Sequence, residues 1–268
     1  GDDGAVLPIS DALRLASEAP LDLGGSATLL LGQVDPNEDK LMLLNLGDSG
    51  ALLLRPSFRR FRKVKGIYPR TVLRSADQTH FFNCPYQACA ETFGAIGGGA
   101  QLDKLSAEVR DGDVLIVATD GVLDNLFDRE LQACVAQHLP GLRSPDPVAA
   151  QAEVDQLAAT IAGLAHAIGL REDEHGLLTP FMQAAAEEGY SYPGGKLDDV
   201  AVVCGVVRSG ERPPRRVGHN FAGCEAELRT VDAVDSRGVV VPSALSEAAD
   251  SEAESAERQL QSATAQQE

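Results

Sequence analysis

The run Asp113-Val-Leu-Ile-Val-Ala-Thr-Asp120-Gly-Val-Leu-Asp124-Asn125 constrains the fold more than any other stretch of the chain. Its centre is short, rich in Val and Ile, apolar at consecutive positions and entered from Asp111-Gly112-Asp113, which is the pattern of a buried strand. At Thr119-Asp120-Gly121 the chain has to turn. A periodic segment then begins at Asp124 and predicts a helix to Leu139, stopped by Pro140-Gly141. Asp120 thus stands at a strand's exit, with Asp124 one helical turn further on. Two carboxylates so placed, with no Lys or Arg beside them in sequence, repel each other unless a cation lies between them. Taken alone, the pair is explained equally well by Asp120 capping a turn and Asp124 capping the next helix. Two further acidic turns beside strands, at Asp48 and at Asp198-Asp199, shift the reading toward a shared cation.

The formal charge of -17 and the pI near 4.6 repel a phosphate backbone, which argues against nucleic acid as a partner, and attract divalent cations and basic partners. A length of 268 residues allows one large domain or two small ones. The absence of Trp and the low aromatic content imply a core of Leu, Val and Ala. No apolar run is long enough to cross a bilayer, and the N-terminus carries no recognisable targeting segment. It also lacks an initiator Met, so the chain is expected to begin partway through a longer one. The five cysteines, at 84, 89, 134, 204 and 224, are odd in number and show no C-x-x-C spacing, which predicts free thiols.

In order, the pattern predicts a short helix over Asp11–Ala19 with Ser10 as its cap, then strands at Leu29–Leu31, Lys40–Leu46 and Ala51–Leu54 joined by tight turns. Short strands with tight turns mean antiparallel pairing, because parallel strands need long crossovers. From Arg55 to Arg74 the chain is basic without an acidic residue and interleaved with Phe58, Phe61 and Tyr68. It reads as an extended hairpin or a loop. Its Arg59, Arg60, Arg62 and Lys63 are either a solvated face or a docking surface for acidic or phosphorylated partners. Ser75 to Ala100 reads as a long irregular segment, of the kind that is often functional. A long helix is predicted over Val148–Leu170, with apolar residues at spacings of three and four and His166 at the edge of the core. A short helix starts at Thr179-Pro180-Phe181, with Thr179 as cap and Pro180 at its first position, and ends near Gly189, and a last buried strand runs from Val200 to Val207. The pattern decays from Ser209, so the expected division is a folded domain over 1–208 and an acidic, disordered tail over 209–268.

The three acidic turns offer oxygen ligands alone, which suit Mg²⁺ or Mn²⁺ rather than zinc. Two such ions sharing a carboxylate can activate a water and clamp a phosphoryl oxygen. The reading requires Asp48, Asp120 and Asp198 to converge, and it collapses if they lie far apart or if a lysine fills the gap between them.

These turns lie in phrases that match a known family. Gly25-Ser-Ala-Thr28, Asn45-Leu-Gly-Asp48-Ser49-Gly50, Asp111 to Asn125 and Gly194-Gly-Lys-Leu-Asp-Asp-Val200 resemble the metal-dependent serine/threonine phosphatases of type 2C. Thr79-His80-Phe-Phe-Asn83-Cys-Pro-Tyr-Gln87 and Thr179-Pro-Phe181 are similar to the branch found in mitochondria and plastids. The resemblance covers roughly residues 20 to 208. It implies an α+β fold, an antiparallel β-sandwich flanked by helices, with two or three Mg²⁺ or Mn²⁺ ions at one end. It also implies a monomer that hydrolyses phosphoserine and phosphothreonine on phosphorylated proteins by a metal-bound water, in a mitochondrion or plastid or otherwise in the cytoplasm. By motif, Asp120 and Asp198 would be ligands of the paired metals, and Asp48 and Asp124 would join Asp120 at a weaker site. Asp199, Asn125 and Gly121 would support the ligands from behind.

The sequence departs from the family at its start. The Asp-Gly-x-Gly-Gly turn that supplies the bridging aspartate is not found in these residues, nor is the arginine that precedes it and binds phosphate. The sandwich is therefore expected to lack its first strands, and the chain to be either N-terminally incomplete or degenerate, binding metal poorly. The runner-up is a pseudophosphatase, which would bind phosphorylated partners through the acidic site and the basic patch. Haloacid-dehalogenase phosphatases share the Thr-Asp-Gly-Val-Leu phrase, but their nucleophile would fall at Ala118. Cysteine-dependent phosphatases need Cys-x₅-Arg, which none of the five cysteines satisfies.

Overall fold

The computed structural model describes residues 8–17, 25–35, 38–61, 64–89, 102–172, 176–210 and 229–230, with the backbone alone described at 14–17, 59–61, 64–65 and 229–230. In chain order the elements are α1 (Ile9–Ser17), β1 (Ser26–Ala27), β2 (Leu29–Asp35), β3 (Lys40–Leu46), β4 (Gly50–Phe61), β5 (Val64–Arg74), β6 (Thr79–Phe81), β7 (Cys84–Pro85), β8 (Ala88–Cys89), β9 (Asp103–Glu108) and β10 (Val114–Ala118). Then come α2 (Asp120–Leu123), α3 (Asp128–Leu142), α4 (Pro147–Gly169), α5 (Pro180–Glu187), β11 (Val202–Val206) and β12 (Arg229–Thr230). A five-stranded sheet runs β12-β11-β10-β4-β5 and a three-stranded sheet runs β2-β3-β9, with every pairing antiparallel.

The two larger sheets face each other. On β3 and β4, alternate residues point to opposite faces. Leu41, Leu43, Ala51 and Leu53 meet Leu115 and Val109 in the layer between the sheets. Leu52 and Leu54 point the other way with Ile116, Ala118 and Cys204, into the helices α3 and α4. Leu44 and Leu46 pack with Leu13 of α1 on the far side of the small sheet. A sheet covered on both faces needs consecutive apolar residues rather than alternating ones, and this explains Leu52-Leu53-Leu54 and the Val114–Ala118 run. The expected α+β sandwich flanked by helices is the observed fold.

Several boundaries move. α1 begins at Ile9, so Ser10 lies inside it, and the N–H groups of Asp11 and Ala12 donate to the Pro8 carbonyl, each at 2.9 Å. The third strand runs on from Leu54 to Phe61 and pairs with Val64–Arg74, so the basic stretch is the expected hairpin. Arg59 and Arg60 lie on its first strand, but their side chains, like Arg62 and Lys63 entirely, fall outside the described residues. No helix starts at Asp124. The chain makes one turn of helix at Asp120–Leu123, breaks, and restarts at Asp128, where Glu130 Oε2 accepts the Phe127 N–H at 2.7 Å. Pro140 does not stop α3, because it stands in the last turn, where its missing donor interrupts a single bond. Strand β9 was not legible in advance. Its short alternation of Leu105 and Ala107 with Lys104, Ser106 and Glu108 gains meaning only from pairing with β3. Residues 90–101 and most of 211–268 lie outside the description, and with them the expected tail.

One ion pair fixes the register of β4 against β10. Arg55 reaches Asp113 twice, Nε to Oδ1 at 2.8 Å and Nη2 to Oδ2 at 2.6 Å, and also donates to the Glu108 carbonyl at 2.8 Å. The Arg110 N–H donates to the same carboxylate at 2.9 Å, and the Asp113 side chain is fully buried. Asp113→Ala leaves a largely buried guanidinium unpaired and should cost about 3–5 kcal/mol in urea unfolding. A loss below about 1 kcal/mol would show that the clamp does not hold the register.

Candidate metal centre

Strand register gathers the acidic turns. Ala118 at the end of β10 stands opposite Gly50 on β4 and opposite Val202 on β11. The loops carrying Asp48, Asp120 and Asp198 therefore leave the sheet at the same edge. Thr119 ties two of them together: its hydroxyl donates to the Asp199 carbonyl at 3.1 Å, and its backbone N–H donates to the Ala201 carbonyl at 3.0 Å. Gly121 permits the approach, because a side chain there would overlap the Asp199 carbonyl.

At the centre of this edge stands Lys196. Its Nζ lies 2.6 Å from Asp124 Oδ2, 2.9 Å from Asp120 Oδ2 and 3.4 Å from Asp198 Oδ2, with 13% of the side chain exposed. Its backbone is pinned on both sides by Asn125, whose Nδ2 donates to the Lys196 carbonyl at 2.8 Å and whose Oδ1 accepts the Lys196 N–H at 3.0 Å. The same amide group also donates to the Gly121 carbonyl at 2.9 Å. From below, the end of α4 closes on the loop: a side chain at Gly195 would collide with the Ile168 carbonyl. Nζ also lies 4.9 Å from the centroid of the Phe181 ring, within cation–π range.

One ammonium does not offset this much negative charge. Burial pushes the Asp124 carboxyl up to about 6, with Lys196 working against the shift and Asp120 and Asp77 adding to it. Asp48 is raised by burial and then by Asp120. Asp77 is raised by burial, opposed by Arg74 and reinforced by Asp120. For Lys196, burial disfavours the charge, but Asp124 and Asp120 outweigh it and hold the ammonium above its ordinary value.

The expected residues are thus brought together, with Asp120, Asp124 and Asp198 on one cation and Asp48 near enough to feel Asp120 and Lys196. Asn125 holds the loop that carries Lys196 and the Gly121 carbonyl. Asp199 contributes its backbone, its N–H donating to Asp198 Oδ1 at 2.8 Å. The cation that the carboxylates require is a lysine 72 residues from Asp124 and 76 from Asp120 but only two from Asp198, which counts against a metal in this arrangement of side chains. Among the described residues no group of three or more His, Cys, Asp or Glu side chains is set to hold an ion directly. Lys196 and Asp77 were both missed from sequence, although Lys196 sits two places before Asp198 in a Gly-Gly-Lys-Leu-Asp-Asp phrase. Cys134 and Cys204 are buried free thiols, and burial pushes Cys134 up to about 11.

The fold and the site together define a class: a two-sheet antiparallel sandwich with helices on its outer faces and carboxylates from separate loops collected around a cation at one edge. No family model matches the chain. Individual relatives do. The human protein phosphatase PTC7 homolog is 31% identical over 207 residues, covering 75% of this chain and 60% of that protein. The Xenopus laevis PTC7 homolog is 30% identical over 204 residues, 74% of this chain and 61% of that protein. Probable protein phosphatase 2C 55 of Arabidopsis thaliana is 35% identical over 167 residues, 62% of this chain and 30% of that protein. The X-ray structure of the photosystem II phosphatase PBCP superposes with a TM-score of 0.51 at 22% identity, covering 73% of this chain and 68% of that one, which supports the fold. The chain belongs to the type 2C protein phosphatase family. It spans about 60% of the length of the PTC7 relatives it matches.

Asp124 makes stability depend on pH. Its carboxyl titrates near 6 in the folded chain against an ordinary value of 3.8, so the fold favours the protonated form. The contribution of this group is complete below about pH 4 and is lost as pH rises through 6. Asp124→Asn escapes that loss. With EDTA present, its stability relative to wild type in urea unfolding should rise by about 2 kcal/mol between pH 4 and pH 8. A flat or falling difference would refute the assignment.

Proposed function

We propose that this chain belongs to a Mg²⁺- or Mn²⁺-dependent hydrolase of phosphoserine and phosphothreonine in proteins. The observation that carries the reading is the convergence of three carboxylates, from the loops after β10 and before β11, on one cationic atom. The ammonium serves as a stand-in that locates the cation position. The donors around it are all oxygen, the ligand type that a hard dication takes, although with Lys196 in place the described side chains do not hold an ion directly.

Asp120, Asp124 and Asp198 would hold that ion, with Asp48 beside them. When bound, Mg²⁺ or Mn²⁺ would polarise a phosphoryl oxygen and lower the pKa of an attacking water. The remaining work falls to the protein. Asn125 holds the Lys196 loop in place, Thr119 keeps the Asp198-Asp199 loop at the strand end, and Gly121 lets the two loops meet. Kinship with proteins named as phosphatases supports hydrolysis over binding alone. The number of ions, a monomeric state and an organellar location rest on the resemblance of the motifs. Among the described residues no helix is long and apolar enough to cross a membrane.

The test is phosphate release from a phosphothreonine peptide with and without Mn²⁺. Turnover should be slow, abolished by EDTA, and reduced at least about 100-fold in Asp120→Asn and Asp198→Asn, beyond the usual effect of residues that merely support metal ligands. Release that ignores both EDTA and these substitutions would overturn the reading.

A further inference from the structure

We propose that Lys196 is the resident counter-ion of the metal position, an internal cation that occupies the carboxylate cluster in the metal-free chain and must withdraw before a dication is held there. The inference rests on the functional reading above and adds a built-in competitor to it. Its basis is positional. The same three carboxylates that would hold the ion already contact Nζ, at 2.6, 2.9 and 3.4 Å, so one position cannot serve both cations at once.

The loop is built so that the side chain alone has to move. Asn125 grips the Lys196 backbone through both its N–H and its carbonyl, and the Gly195 N–H donates to the Arg171 carbonyl at 2.8 Å. Gly195 packs against the end of α4 without room for a side chain. With the backbone fixed, withdrawal is a rotation of the four-carbon stem, a flexible carrier for a compact charge. The Phe181 ring, 4.9 Å from Nζ, gives the departing ammonium an aromatic face beside the cluster. Phe181 is itself anchored, its N–H donating to the Asp124 carbonyl at 3.0 Å. Lys196 thereby keeps the metal-free cluster from flying apart under its own charge, and it sets a threshold below which metal does not bind.

Two measurements test this. The first is acetylation footprinting of wild-type protein, read by mass spectrometry at each lysine, with Mn²⁺ titrated into the millimolar range. Ligand binding usually protects side chains; here Lys196 labelling should instead rise several-fold as Mn²⁺ binds. The second is calorimetric titration of Mn²⁺ into wild type, Lys196→Met and Asp120→Asn. Loss of the ammonium should tighten Mn²⁺ binding about tenfold, the scale set by one partly buried charge contact, and Asp120→Asn should abolish it. If Mn²⁺ binds through Asp120 while Lys196 labelling stays flat or falls, the counter-ion proposal fails and the phosphatase reading stands. If no Mn²⁺ binding depends on Asp120, both fail. Should Lys196→Met not fold, the wild-type footprint alone decides.

Discussion

Crowding of negative charge at one edge of the larger sheet is the constraint to which the rest of the molecule answers. Asp48, Asp120, Asp124 and Asp198 come from loops that antiparallel pairing forces to a common end, and Asp77 approaches from the segment after β5. Such a cluster survives in a folded protein with a cation inside it or with a carboxyl kept protonated, because like charges held close together disfavour full ionisation. Lys196 meets that need in part: burial leaves Asp124 poorly disposed to ionise, and the ammonium works against that shift.

What resists the repulsion is packing and register. β10 is buried on both faces, between β3 and β9 on one side and α3 and α4 on the other. Its neighbours β4 and β11 are fixed to it residue by residue. The Arg55–Asp113 clamp lies at the far end of β10 from Asp120, so one end of the strand is locked by a satisfied ion pair while the other presents charge that is incompletely balanced. A slip of one residue would invert every side chain on the strand and scatter the loops. Glycines mark where loops touch: Gly121 against the Asp199 carbonyl, and Gly195 against the end of α4.

Much of the layered fold was legible from local pattern. Lys40–Leu46 was read to the residue, and α4 and α5 to within a residue or two, because their apolar spacing and the Thr179-Pro180 cap are local signals. The helix expected from Asp124 failed because periodicity continues across Asn125-Leu126-Phe127, where the backbone breaks; apolar spacing cannot reveal a backbone break. Strand β9 was missed because six residues of mixed polarity carry little signal without their partner. At the site, the places of Asp48, Asp120, Asp124 and Asp198 in the sequence suggest that they gather, and the structure gathers Asp120, Asp124 and Asp198 on Lys196, which no local pattern singles out.

The sequence by itself determined which residues are acidic, that they flank strands, and that those strands pair antiparallel, because these follow from composition and short-range periodicity. It also carried the motifs that place the chain in its family. Tertiary structure alone decided that the acids meet at one edge and that a lysine stands at their meeting point. The reason is physical: electrostatic partners are chosen by distance in space, and the more than seventy residues between Lys196 and Asp120 or Asp124 say nothing about distance until the register of the sheet is fixed.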